Sequence, residues 1–233
     1  MPRTPSFARR STVGSARRCS RAGAASWTSR AWADVRIIAG AYKGRRLATP
    51  RGATTRPTAD QVRIALLDTL MPWLPGARVL DLFAGAGGVG LEALSRGAAH
   101  ATLVERDARA VAALRANVAT LGVEKAARVV RDEVARALSA LARAGERFDV
   151  VFLDPPYDTD DVATTLDALG GADLLAAGGV VVAQHLTKRA PAASAGALAA
   201  FRTRRFGETT LTFFRHGAPG AGPDDPATRS GCV

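Results

Sequence analysis

Cysteine and histidine are scarce, and their scarcity closes off whole classes of chemistry. Cys19 and Cys232 are the only thiols in 233 residues, one near each end. Neither has a partner at metal-ligand spacing, and two thiols so placed build no disulfide framework. The three histidines, His100, His185 and His216, are scattered, so no metal centre is expected. No apolar run approaches the roughly 18 residues that a membrane-spanning helix needs. No internal repeat is visible. A protein of a reducing, cytoplasmic compartment, with no membrane partner, is expected.

Acids are few in the first part of the chain, where Asp34 and Asp60 stand alone among residues 1–63. The net charge is +11, of which residues 1–34 hold +6 and residues 35–63 another +6, leaving −1 for the rest. Such asymmetry points to a polyanion held by the N-terminal side. Residues 1–34 are rich in Ser, Ala and Arg and lack apolar periodicity. They read as a disordered basic extension, with a transit peptide as the other reading. Residues 217–233 are rich in Gly and Pro and read as a disordered tail.

Between these ends the pattern is regular. Two short strands, at 35–40 and 44–50, flank a Lys-Gly turn. A helix from about 59 to 70 follows Arg56-Pro57-Thr58, with Thr58 as N-cap and Gln61 completing a capping box. Then come a strand at 78–82, helix 88–96, strand 101–105, helix 107–121, strand 127–130, helix 133–143, strand 148–153, helix 160–169 and strand 179–184. A hairpin over 199–215 closes the series. The alternation predicts an α/β, doubly wound, mostly parallel sheet of Rossmann-like form, closed by a C-terminal antiparallel hairpin. The expected organisation is an N-terminal hairpin and helix over 35–75 and a catalytic domain over 76–216.

Two strand ends carry chemistry. After Arg78–Leu80 come Asp81, Phe83, Ala84 and a turn with Gly85, Gly87 and Gly90. The three glycines match the G-x-G-x-x-G spacing of dinucleotide sites, which is weak evidence alone. An acid ending the strand and an aromatic beside it favour S-adenosylmethionine, whose amino-acid ammonium needs a carboxylate. Glu105 ends the next strand about 20 residues on, where an acid suits ribose hydroxyls in either cofactor class. Asp132 follows the third strand, either receiving an adenine amino group or capping the helix after it. The second strand end is Asp154-Pro155-Pro156-Tyr157. Two prolines remove two N–H donors and leave carbonyls ready to accept. A carboxylate and a carbonyl can hold an exocyclic amine, and the Tyr157 ring can stack on a base.

Residues 36–216 resemble the bacterial 16S ribosomal RNA guanine-N2-methyltransferases. The resemblance is carried by Arg36-Ile37-Ile38-Ala39-Gly40, Gly44-Arg45, Arg56-Pro57-Thr58-Ala59-Asp60, Asp81-Leu82-Phe83-Ala84-Gly85, Gly90-Leu91-Glu92-Ala93-Leu94-Ser95-Arg96-Gly97 and Asp154-Pro155-Pro156-Tyr157. It implies a class I methyltransferase fold and transfer from S-adenosylmethionine to guanine N2. It implies 16S rRNA, or a small-subunit assembly particle, as partner of a monomer. Asp154, Pro155, Pro156 and Tyr157 would be the catalytic set. Arg36, Lys43, Arg45, Arg46, Arg56, Thr58 and Arg63 would contact RNA. Gln61, Ile64 and Gln184 depart from the family pattern. Other amine methylators, of DNA adenine N6 or protein glutamine N5, share the Pro-Pro-aromatic clamp. A non-catalytic rRNA-binding protein would share the fold without needing Asp81 and Asp154.

Overall fold

The computed structural model describes residues 35–49, 57–156 and 161–217, with the backbone alone for 57–60. Expectations for residues 1–34 and 218–233, for Arg56 and Tyr157, and for the Thr58 side chain lie outside the described residues. The strands are β1 (Val35–Arg36), β2 (Arg46–Leu47), β3 (Arg78–Asp81), β4 (His100–Glu105), β5 (Ala127–Arg131), β6 (Phe148–Leu153), β7 (Leu175–Leu186), β8 (Ser194–Ala195), β9 (Leu198–Phe206) and β10 (Thr209–His216). The helices are α1 (Pro57–Leu70), α2 (Gly88–Ser95), α3 (Ala108–Leu121), α4 (Val134–Arg143) and α5 (Asp161–Gly171).

The large sheet runs β5-β4-β3-β6-β7-β10-β9-β8. Strands β3 to β7 are mutually parallel, and β8, β9 and β10 join antiparallel. A parallel sheet covered on both faces needs strands that are apolar throughout, as Val150-Val151-Phe152-Leu153 is. Alternate residues of β6 enter two separate clusters: Val150 and Phe152 pack with α1, α2 and α3, and Val151 and Leu153 with α4 and α5. Strand β3 lies between β4 and β6. The chain first builds outward through β4 and β5, then returns past β3 to build β6 and β7. Strand order reverses between β3 and β6, and such a reversal opens a crevice at the strand carboxyl ends.

The N-terminal hairpin is part of this body. Val35, Ile37 and Leu47 share a cluster with Val79 of β3 and Leu91 of α2. Glu92, fully buried, accepts from the Ile38 and Ala39 amides at 2.9 and 3.0 Å and from Arg96 at 3.1 Å. Ser95 Oγ accepts from the Tyr42 amide at 2.9 Å and donates to the Ala39 carbonyl at 2.6 Å. Gly40 sits so close to α2 that a Cβ there would lie 1.8 Å from the Ser95 carbonyl oxygen. Glu92, Ser95 and Arg96 of the family-specific helix block are thus the socket of the hairpin.

Three expectations need correction. Helix α1 begins at Pro57, a residue whose fixed φ suits the first helical position. Thr58 therefore lies inside the first turn and is not the N-cap. Strand β7 begins at Leu175, not 179, because Leu175 pairs with Phe148 before a register shift. Leu175-Ala176-Ala177-Gly178-Gly179 has little strand propensity, and tertiary pairing overrides it. The two-residue β8 was not expected.

Candidate active site

The crevice between β3 and β6 is lined by the two acids that sequence singles out. Asp81 ends β3, with its Cα opposite Phe152 of β6. Asp154 follows β6 directly. The turn after Asp81 is fixed locally: the Ala84 amide donates to Val104 at 2.9 Å and the Gly87 amide to Ala84 at 2.7 Å. Gly90 lets α2 press on the sheet, since a Cβ there would lie 2.1 Å from a Leu103 methyl. That approach brings the Gly90 amide to Asp81 Oδ2 at 3.1 Å. Asp81 Oδ1 is buried with no hydrogen-bond partner among the described residues. A buried carboxylate oxygen without a donor is costly, and a bound ammonium would satisfy it.

Burial pushes the Asp81 carboxyl up to about 7, against the pull of the Gly90 and Phe83 amides and with a small push from Glu105. Asp154 keeps some contact with solvent, yet protein surrounds its carboxyl. Burial raises it to about 7, the charge of Asp81 adds to the rise, and a hydrogen bond from the Gln184 side chain opposes it. Gln184 is the functional neighbour that sequence reasoning noted only as a departure. The pairing of Leu153 with Ala183 puts Gln184 beside Asp154, and that register is not visible in sequence. Pro155 is buried and Pro156 exposed.

Glu105 ends β4 and braces the turn. Its Oε2 accepts from the Gly85 amide at 2.9 Å and its Oε1 from the Asp107 amide at 2.8 Å. Beside it lies a cleft of about 160 Å³ lined by Phe83, Glu105, Asp132, Leu138 and Thr165 among others. Asp132 Oδ1 accepts from the Glu133 amide at 2.8 Å and from Arg136 Nε at 2.7 Å, and the Arg136 bond holds its carboxyl below the usual range. Glu133, not Asp132, occupies the N-cap position of α4. The donor set fits S-adenosylmethionine: an unsatisfied acid for the ammonium, a second acid at a neighbouring strand end, and a half-apolar cleft beyond it.

Arg36, Lys43, Arg45 and Arg46 are exposed on the hairpin. Arg63 is placed differently from expectation. Its side chain is 10% exposed, its Nε lies 4.0 Å from Glu92 Oε2, and its guanidinium donates to the Arg36 carbonyl at 2.9 Å. It clasps the hairpin against α2. Asn117 of α3 was missed. It holds the Ala48 amide and carbonyl at 2.7 and 2.9 Å and also donates to Ala86 of the glycine turn at 2.8 Å. One side chain therefore ties the basic hairpin to the glycine turn.

The family described as "Conserved hypothetical protein 95" matches residues 35–215. The chain belongs to this family. YlbH of Bacillus subtilis strain 168 is 37% identical over 78% of this chain and 98% of its own length. The Escherichia coli K12 protein named "Ribosomal RNA small subunit methyltransferase D" is 43% identical over 58% of this chain and 67% of its own. A solved structure of a hypothetical protein from Thermus thermophilus is similar at 39% identity and a TM-score of 0.67, covering 77% of this chain and 98% of that one. The fold of the family is the methyltransferase fold, and the Asp81 and Asp154 strand ends lie at its crevice.

Proposed function

We propose that this chain methylates the exocyclic N2 of a guanine in small-subunit ribosomal RNA. The broader class, an S-adenosylmethionine-dependent rRNA methyltransferase, is that of its named relatives. The observation that carries the reading is the pair of buried carboxyls, Asp81 and Asp154, at adjacent parallel strand ends. The cofactor supplies an electrophilic methyl group on a sulfonium. Asp81, with Glu105 and Asp132, binds the donor. Asp154 and a proline carbonyl accept the hydrogens of the amine and hold its nitrogen in line. Orientation is most of the catalysis, because guanine N2 is a weak nucleophile with a delocalised lone pair. With the donor bound there, one N2 proton would leave to Asp154 or water as the amine is methylated. Tyr157 belongs to the reading as a stacking ring, and Arg56 and Thr58 as RNA contacts.

The partner is the rRNA or a small-subunit assembly particle, met by a monomer in the cytoplasm. Among the described residues no helix is long and apolar enough to cross a membrane. Small-subunit rRNA from a strain lacking this chain should be missing one N2-methylguanine. A complete set of N2-methylguanines in that strain would refute the proposed substrate.

The raised carboxyls give a pH signature. An acid whose pKa rises on folding binds its proton more tightly when folded. The stability it adds to the ligand-free chain is therefore full below the ordinary 3.8 and is lost as pH rises through about 7. Donor binding runs the other way, because the ammonium needs Asp81 ionised. Affinity for S-adenosylhomocysteine should weaken as pH falls below about 7, by up to roughly tenfold per unit. Calorimetric titration between about pH 5.5 and about 8 measures this. Asp81→Asn should bind weakly at every pH, and a flat wild-type profile would count against the assignment.

Arg45 and Arg46 carry the hairpin prediction. Replacing both by Ala should weaken rRNA binding and reduce the slope of log affinity against log salt by up to about one unit per lost phosphate contact. S-adenosylhomocysteine affinity should stay constant. An unchanged salt slope would make the hairpin a solvated face.

A further inference from the structure

The near-neutral balance of the catalytic region conceals a local polarity. Residues 64–174 carry 11 bases and 16 acids, whereas residues 175–216 carry six bases and one acid. The positive excess sits on β7, β9, β10 and their turns. Arg204 and Arg215 pack against the fold. Arg204 donates to Thr69 of α1 at 2.5 Å and stands 5.6 Å from the Phe206 ring, and Arg215 lies 5.1 Å from the Phe201 ring. Lys188, Arg189 and Arg205 are exposed, and topology brings them to one place.

That place overlooks the crevice. Leu153, the last residue of β6, pairs with Ala183 of β7. Strand β7 continues through Leu186, three residues or about 10 Å past the end of β6. Leu186 pairs with Thr209 of β10, which pairs with Phe206 of β9. The turn after β7 and the turn between β9 and β10 therefore stand side by side above Asp154. Thr187 fastens them together. Its amide donates to the Glu208 carbonyl at 2.7 Å, its hydroxyl to the Gly207 carbonyl at 3.2 Å, and the hydroxyl pairs with that of Thr210 at 2.8 Å. Arg205 Nε donates to the Gly207 carbonyl at 3.0 Å. The two turns form one cross-linked ridge with three exposed cations and a single acid, Glu208.

The basic hairpin stands on α2 and α3, which pack on β3, β4 and β5. The ridge stands beyond β7, on the side of Asp154 away from β3. We infer that the ridge is a second contact for the phosphodiester backbone of the RNA, holding the strand beside the target base on the β7 side of Asp154. This rests on the proposed RNA substrate. Charge complementarity selects the occupant: cations on linked turns suit phosphates, which position an RNA without reading its sequence.

The test uses the full chain carrying Lys188→Ala, Arg189→Ala and Arg205→Ala, with a small-subunit rRNA transcript as probe. RNA affinity should fall at least roughly tenfold at low salt, and the salt slope should flatten by up to about 0.9 per lost phosphate contact. Melting temperature and S-adenosylhomocysteine affinity should hold. Glu208→Lys should act oppositely, tightening RNA binding and steepening the slope, which keeps the test decisive if the triple variant folds poorly. A folded triple variant with wild-type RNA affinity and slope would overturn the inference while leaving the substrate reading intact. Loss of binding only to particles that carry ribosomal proteins would also overturn it, making the ridge a protein contact. A wild-type chain that binds no rRNA would remove the substrate reading itself.

Discussion

Asp154→Ala should bind S-adenosylmethionine with near-normal affinity and transfer its methyl group about a hundredfold more slowly in a single turnover. The magnitude follows from removing one hydrogen bond to a charged group, roughly 2–3 kcal/mol. Asp154 adjoins Asp81 electrostatically but contributes no group to the glycine turn. Its acceptor matters as N2 gains positive charge in the transition state, and losing a contact that strengthens there lowers kcat without raising KM. Gln184 refines the prediction. Its hydrogen bond favours the ionised form of Asp154, so Gln184→Leu should move the rising limb of the pH–rate profile to higher pH. Rapid-quench measurement of both variants reads rate and pH dependence together. Near-wild-type transfer by a folded Asp154→Ala chain would leave Asp154 a structural strand-end acid.

Glu92→Ala should cost the fold about 3–5 kcal/mol, the range for removing one partner of a buried ion pair. Glu92 is fully buried, and its oxygens take two hairpin amides and the Arg96 guanidinium. Truncation deprives Arg96, whose side chain is 5% exposed, of its buried acid, and Arg63, at 10%, of the same carboxylate. A loss of that size lowers the melting temperature of a chain this long by roughly 6–20 °C. The hairpin should loosen first, so amide exchange over residues 37–46 should accelerate more than over β6. Glu92→Gln keeps an acceptor for the amides and should fall between. A melting temperature within a degree or two of wild type would show that the hairpin docks through its apolar contacts alone.

The parallel half of the sheet was legible because strands buried on both faces must be apolar, and because glycines and acids punctuate their ends. Asp81, Glu105 and Asp154 stand at strand ends as read, and the alternation predicted the doubly wound order. What escaped depended on pairings distant in sequence. The first residues of β7 are Leu-Ala-Ala-Gly-Gly, and only pairing with β6 makes them strand. Arg63 looked like a surface cation because nothing local reveals that Glu92, 29 positions on, lies buried beneath it. Asn117 carries no motif, yet it bridges hairpin and glycine turn. The ridge was invisible for a simpler reason: summing charge over the whole catalytic region cancelled an acidic stretch against a basic one.

The most direct test of guanine-N2 methylation is to identify the product. Purified full chain, S-adenosylmethionine with a labelled methyl group and unmodified small-subunit rRNA, naked or in assembly particles, are reacted, and the RNA is digested to nucleosides and resolved by mass spectrometry. The label should appear in N2-methylguanosine, at about one per rRNA molecule, and should be lost with Asp154→Ala. Label in N6-methyladenosine, in protein glutamine, or in no product with either form of the substrate would contradict the assignment.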